Sequence, residues 1–334
     1  MLAIAATANA APKITEYSVA HASVFPCSTA VDKRTGKIYF SAMFGPTRTS
    51  TGSIGVLDPD TGAVRKIPLP SGVLAAPGGI AFGPDDRIYF AEYLAGNAIG
   101  RLDPRKNDEI VEFPLPHPQS QPGTLVRGPD DGIWFVESGS QLLGRFDVYK
   151  ETFEEYPLPG AGANIAFEMM NRGDGRDLLL GLPNTNQIAV FNVDDRKFTT
   201  YTSPTPLSVP QGVAFAAGYI WFTETFGQKL ARVNPTTGAI TEFPLAKFDP
   251  FDLTQLVPFP SGMMTGADDN LYILNGTVMG GDSITRFNPR SHEQTNFRTP
   301  TIASGPCDFD VTSTGVIWFG ELTAGKIGRL QVRP

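Results

Sequence analysis

The scarcities of this sequence narrow its chemistry before any motif is read. Two cysteines and three histidines in 334 residues exclude a cysteine-dense scaffold and leave no Cys/His spacing of the zinc-finger kind. Lys and Arg number 27 against 34 Asp and Glu, a net charge of −7, and no basic run tracks a phosphate backbone, so no nucleic-acid partner is expected. No apolar stretch approaches the roughly 18 residues of a helical membrane span, so none is expected. Walker sequences, dinucleotide fingerprints and nucleophile–base–orienter sets are missing too, which leaves redox, phosphoryl-transfer and zinc chemistry without support, and no cofactor is expected.

Glycine and proline are plentiful, at 35 and 29, beside 41% hydrophobic residues, a balance that suits a large core built from turns and strands. The first residues, 1–12, are short, apolar and rich in small side chains, and Ala8-Asn9-Ala10 fits the signal-peptidase rule. They read as a residual secretory leader, placing the protein in the secretory pathway or outside the cell; a frayed tail with no targeting role is the alternative. Residues 13–334 read as one domain.

One pattern recurs along that domain: Pro-x-Gly, an apolar strand, a Gly/Asp turn, an aromatic strand, then Ile-Gly-Arg-hydrophobic-Asx-Pro. Clear copies are Pro77-Gly-Gly-Ile80 with Ile88-Tyr-Phe-Ala-Glu92, Pro122-Gly-Thr124 with Ile133-Trp-Phe-Val-Glu137, and Pro210-Gln-Gly212 with Ile220-Trp-Phe-Thr-Glu224. Weaker copies begin at Pro26, Gly162, Pro260 and Pro306, making seven. Each unit carries four short alternating or aromatic runs between turn residues, which predicts an all-β, seven-bladed β-propeller of four-stranded blades. The last unit stops after three strands, and Ile14-Thr-Glu-Tyr-Ser-Val19 repeats the fourth-strand sequence Ile240-Thr-Glu-Phe-Pro-Leu245. The N-terminal strand is therefore expected to complete the last blade and close the ring, leaving only short edges.

Cys27 and Cys307 occupy the same repeat position in the first and last blades, neighbours only in a closed ring. A disulfide across the seam is the economical reading, with two free buried thiols or a reactive thiol as alternatives.

The loops leading into the innermost strands and the ends of the second strands share one face, called upper here. Four blades carry Glu at the second-strand end: Glu92, Glu137, Glu224 and Glu321. Converging, they would hold a divalent cation or act as acid and base; otherwise they accept backbone hydrogen bonds within their blades. Two longer connections border this face, one with Met43, Phe44 and Arg48, the other with Phe248, Phe251, Leu256 and Phe259, while Met279 follows Asn275. The apolar residues either pack on the rim or roof a pocket for a hydrophobic small molecule. Eligible hydrogen-bond donors around such a pocket are Arg48, Tyr93, His117, Gln121, Gln211 and Asn275. Asn275-Gly-Thr277 is also a glycosylation sequon, and His21 and His117 fall in upper-face connections as possible bases, or as plain exposed residues.

With runs such as Ile220-Trp-Phe-Thr-Glu224 and Lys326-Ile-Gly-Arg329, the chain resembles the streptogramin lyase (virginiamycin B lyase) family of seven-bladed propellers over essentially its whole length. That resemblance implies lactone opening by elimination, with magnesium, a His just after the leading proline, a Glu just before it and a second-strand Glu. Here the residues after the leading prolines are Cys27, Gly78, Gly123, Gln211, Ser261 and Cys307, and no Glu precedes them. Fungal pathway propellers similar to this group are associated with hetero-Diels–Alder coupling. Three functions follow: a cofactor-independent tailoring enzyme steering a ring-forming reaction on a hydrophobic natural product, a secreted binding propeller without chemistry, or a magnesium-dependent lactone-opening lyase.

Overall fold

The computed structural model describes residues 13–19, 24–44, 51–73, 77–94, 96–160, 168–173, 175–245, 260–276 and 281–332. These form seven four-stranded antiparallel sheets. Blade 1 comprises Val24–Val31, Ile38–Phe44, Thr51–Leu57 and Val64–Val73, innermost strand first. Blades 2 and 3 open with Pro77–Phe82 and Pro122–Arg127, and blade 4 with the short Met169–Asn171. Blades 5 and 6 open with Pro210–Ala216 and Pro260–Thr265. Blade 7 holds Pro306–Val311, Val316–Glu321 and Lys326–Gln331, and its fourth strand is Ile14–Ser18, paired antiparallel from Ile14 opposite Leu330 to Ser18 opposite Lys326. The ring closes as the truncated last repeat requires.

Burial explains the strand sequences. The second strands IYFAE, IWFVE and VIWFGE are buried at every position, because both faces of a blade pack against neighbouring blades. Fourth strands such as EIVEFP alternate between exposed and half-buried at the perimeter. Aromatic rings fill the wedges between blades: Trp134 of blade 3 lies 5.3 Å from Phe191 of blade 4, and Trp221 of blade 5 lies 5.4 Å from Phe287 of blade 6. The Gly/Asp turns on the lower face anchor these rings, since Asp85 and Asp268 accept hydrogen bonds from Tyr89 Oη and Tyr272 Oη at 3.0 Å, and Asp130 from Trp134 Nε1 at 2.8 Å.

A β-bulge follows the leading proline in six blades, setting Pro77, Pro122, Pro210 and Pro306 opposite Glu92, Glu137, Glu224 and Glu321. At the seam Cys27 and Cys307 form a disulfide between the innermost strands of blades 1 and 7, with Cα atoms 5.1 Å apart across 280 residues of sequence. Among the described residues no helix is long and apolar enough to cross a membrane.

Candidate functional site

The four second-strand glutamates are fully buried, and they do not meet one another. The pleat sends each along its own blade, over the third strand, toward a fourth-strand glutamate: Glu92 toward Glu112, Glu137 toward Glu155, Glu224 toward Glu242 and Glu321 toward Glu16. Gly144 shows how room is made, since a Cβ there would fall 2.3 Å from the Phe135 ring and 2.8 Å from Glu137 Oε1. Burial first, and the neighbouring carboxyl with it, pushes Glu92 and Glu321 up to about 8; burial raises Glu137 to about 7 and Glu224 in the same direction. The two outer partners that face a lysine go the other way. Glu242 is lowered by Lys229, whose Nζ lies 2.8 Å away; Glu16 is desolvated, but hydrogen bonds from Lys326 and Thr301 outweigh that and lower it. These are blade-internal carboxyl pairs, not a converging rim site.

A different acidic group faces the central channel. In blades 5 and 6 the position before the first regular residue of the innermost strand is Gly212 or Gly262; in blades 4 and 7 it is Glu168 or Asp308. Protein surrounds both carboxyls, yet both keep part of their surface open, as side chains facing an internal channel do. Glu168 accepts a hydrogen bond from Met263 N at 3.3 Å, and a Cβ on Gly262 would lie only 2.4 Å from Glu168 Oε1. Asp308 accepts from Ser28 Oγ at 2.5 Å and from Phe309 N at 2.8 Å. Burial raises Glu168 well above the usual carboxyl range, the Asp308 charge pushes it the same way, and burial also raises Asp308. Asp310, on the same strand, is raised by burial to about 6 although Val31 N donates to it at 2.8 Å.

Below this layer a cavity of about 430 Å³ is lined by Ile80, Leu125, Met169, Met264, Asp308 and Phe309, with Lys33 and Arg34 at its mouth. Its lining extends to the turns that end the innermost strands, on the face opposite the predicted rim. That volume falls in the range of small-molecule pockets, ~300 to 1,000 Å³.

Several expected rim residues have other occupations. Asn275 is 2% exposed and its amide donates to Thr285 Oγ1 at 2.7 Å and Ser283 Oγ at 3.2 Å, so it points into blade 6, away from any substrate or glycan. Gln211 Oε1 accepts from Thr225 Oγ1 at 3.3 Å, the Gln121 carbonyl accepts from Ser138 N at 3.2 Å, and Tyr93 is half-buried beside Glu92 in sequence. His117 is exposed, with Nδ1 3.0 Å from Glu155 Oε2. Met43 and Phe44 end the second strand of blade 1, with only their backbone described. Arg48, His21, Phe248, Phe251, Leu256, Phe259 and Met279 lie outside the described residues. The inner acid Glu168 escaped the sequence reading because its blade has no leading proline to fix the register. A signal was present, an acidic residue directly before the apolar pair Met169-Met170 in a repeat whose other copies, apart from Asp308 of blade 7, place glycine, serine or threonine there.

A ring of seven four-stranded antiparallel blades defines a seven-bladed β-propeller. The virginiamycin B lyase family model matches residues 12–255, and the chain belongs to that family. Among solved structures it is similar to a catalytically inactive virginiamycin B lyase from Staphylococcus aureus with quinupristin, at 24% identity and a TM-score of 0.80 over 96% of this chain and 99% of that one. A selenomethionine-substituted virginiamycin B lyase from Staphylococcus aureus aligns at 25% identity and a TM-score of 0.77, covering 96% and 99%. A streptogramin B lyase aligns at 23% and 0.76, covering 96% and 97%. No curated protein matches the chain.

The family resemblance implies magnesium, and the residues present do not fit it in the family's manner. No histidine follows a leading proline, and the second-strand glutamates are turned into their own blades.

Proposed function

We propose that the protein is an enzyme of lyase type that moves a proton within an apolar small molecule held in the central channel, with Glu168 and Asp308 as base and acid. The observation that carries this reading is the pair itself, two buried carboxyls in one channel, the charge of one raising the other. Burial and like charge disfavour ionising both, so one stays neutral as a donor while the other serves as an ionised acceptor in the same channel. The ionised carboxylate takes a proton from the carbon next to a carbonyl. The electron pair left behind forms a carbon–carbon double bond, and the carbon–oxygen bond one carbon further breaks. The neutral carboxyl gives its proton to the departing oxygen, so a cyclic ester opens to an isomer of equal mass.

Reversed, the same transfers add an oxygen across a double bond and close a ring. The apolar side chains among the cavity lining, Ile80, Leu125, Met169, Met264 and Phe309, also support the ring-forming reading of hetero-Diels–Alder type, in which the neutral carboxyl only donates to a carbonyl oxygen that gains electron density. The substrate class is a hydrophobic natural product. The disulfide and the Ala8-Asn9-Ala10 leader support a place in the secretory pathway or outside the cell.

The test is incubation with quinupristin, and separately with an apolar metabolite extract, each with and without chelator, followed by chromatography and mass spectrometry. Expected is a product of unchanged mass and altered retention, insensitive to chelator and lost in Glu168→Gln. A chelator-sensitive product would restore the magnesium lyase. Ligand-induced thermal stabilisation with no product would make the protein a binding propeller.

A further inference from the structure

The blade-internal glutamate pairs differ in how their negative charge is met. Each is met by one side chain arriving from the preceding blade: Ser71 from the end of the fourth strand of blade 1, and His117, Thr205 or Thr301 from the connections into blades 3, 5 and 7. In blade 5 Thr205 Oγ1 donates to Glu242 at 2.6 Å, and Lys229, opposite Glu224 in the strand register, reaches the same carboxylate at 2.8 Å. In blade 7 Thr301 Oγ1 donates to Glu16 at 2.7 Å, and Lys326, opposite Glu321, reaches Glu16 at 2.5 Å. Blade 2 has Ala98 in the lysine's place, and Ser71 donates to both glutamates, through Oγ to Glu92 and through N to Glu112, each at 2.9 Å.

Blade 3 has neither the lysine nor the hydroxyl. Leu142 stands opposite Glu137, and the connection presents an imidazole. Ligand atoms of His117, Glu137 and Glu155 lie within 4.8 Å of one another, and among the described residues this is the one group of three or more such side chains gathered in this way. Glu137 is fully buried, and neither of its carboxylate oxygens has a hydrogen-bond donor in place; Glu155 Oε1 is buried without one as well. The nearby Ser120 hydroxyl is engaged with His117 O and Ser140 Oγ, each at 2.9 Å. Unmet buried carboxylate oxygens are costly. In blades 5 and 7 a lysine meets the outer carboxylate of the pair, although Glu321, like Glu137, has no donor on either oxygen; in blade 3 only the imidazole of His117 approaches the outer carboxylate.

We infer that His117, Glu137 and Glu155 bind one divalent cation of zinc type, which takes the place of the lysine of blades 5 and 7 and ties the connection between blades 2 and 3 to the rim of blade 3. One imidazole and two carboxylates suit zinc, with water completing the four-coordinate shell, and they suit magnesium poorly. The exposed face of His117 gives the ion a path from solvent. The site lies within one blade, away from the channel acids, and stands independently of the proposed reaction.

The experiment is metal content after equilibration with zinc and exhaustive dialysis, with magnesium in parallel, alongside thermal unfolding. The wild-type chain should retain one zinc and no magnesium, and zinc should raise its melting temperature. His117→Ala, an exposed position, should fold and bind zinc at least roughly tenfold more weakly. Leu142→Lys should install the missing ammonium and expel zinc, while His292→Ala should keep it. Absence of zinc from folded wild-type protein overturns the inference, as does retention of the same zinc in His117→Ala or Leu142→Lys.

Discussion

Cys27 and Cys307 join the first and last blades through a bond whose ends are separated by 280 residues, beside the seam where Ile14–Ser18 completes blade 7. Ring closure therefore rests on two devices, a borrowed strand and a covalent staple. A bond closing so long a loop restricts the unfolded chain strongly, and its loss should cost about 3 kcal/mol. Chemical unfolding of Cys27→Ser, or of wild type under reductant, should show a lower midpoint. Hydrogen exchange should rise first in blades 1 and 7.

The lower-face lock of blade 3 should be similarly measurable. Asp130 accepts from Trp134 Nε1 at 2.8 Å and pairs with Arg145 at 2.6 Å, both between largely buried partners. Asp130→Ala leaves the indole donor without its acceptor and Arg145 with only Glu154 and Asp147, a loss of about 2 kcal/mol in equilibrium unfolding. Asp130→Asn, which keeps one acceptor oxygen, should recover part of it.

Glu92 and Glu321, raised to about 8, and Glu137, raised to about 7, make stability pH-dependent with a definite sign. Their folded values exceed the ordinary 4.5, so between about 4.5 and 8 the folded chain holds more protons than the unfolded one, and stability falls as pH rises through that window. Glu16 and Glu242, lowered by their lysines, oppose this only in acid, where their contribution is lost as they protonate. Without added metal, the melting temperature should be higher at pH 5.5 than at pH 8.5. In Glu92→Gln most of the Glu92 share of that slope should vanish, with little loss of stability at the higher pH.

Much of this architecture was legible in the residues themselves. The repeat of Pro-x-Gly and aromatic strand marked seven blades, the orphan strand Ile14-Thr-Glu-Tyr-Ser18 marked the closure, and the matching positions of Cys27 and Cys307 marked the disulfide. The direction of the glutamates was harder to read. Their place at a strand end suggests a rim, whereas the pleat puts Glu137 on the same side of its strand as Phe135 and carries both over Gly144 toward Glu155. The information lay in that third-strand glycine, whose missing Cβ makes the space. Asn275 fits the same logic, replacing a glutamate and bonding inward to Thr285, which in turn donates to Asn296 at the fourth-strand glutamate position. Glu168 was hidden for a different reason. Without a leading proline the register of blade 4 is unmarked, so the match between Glu168 and Asp308 does not show in the repeat.

The central claim is that Glu168 and Asp308 transfer the proton within a channel-bound substrate. Its most direct test is the rate of isomer formation from quinupristin, or from an active component of the metabolite extract, in wild type, Glu168→Gln and Asp308→Asn, with binding followed separately by thermal stabilisation. Loss of at least ~100-fold in rate in both variants, with ligand stabilisation retained, is the predicted result. Full activity in either variant would contradict it.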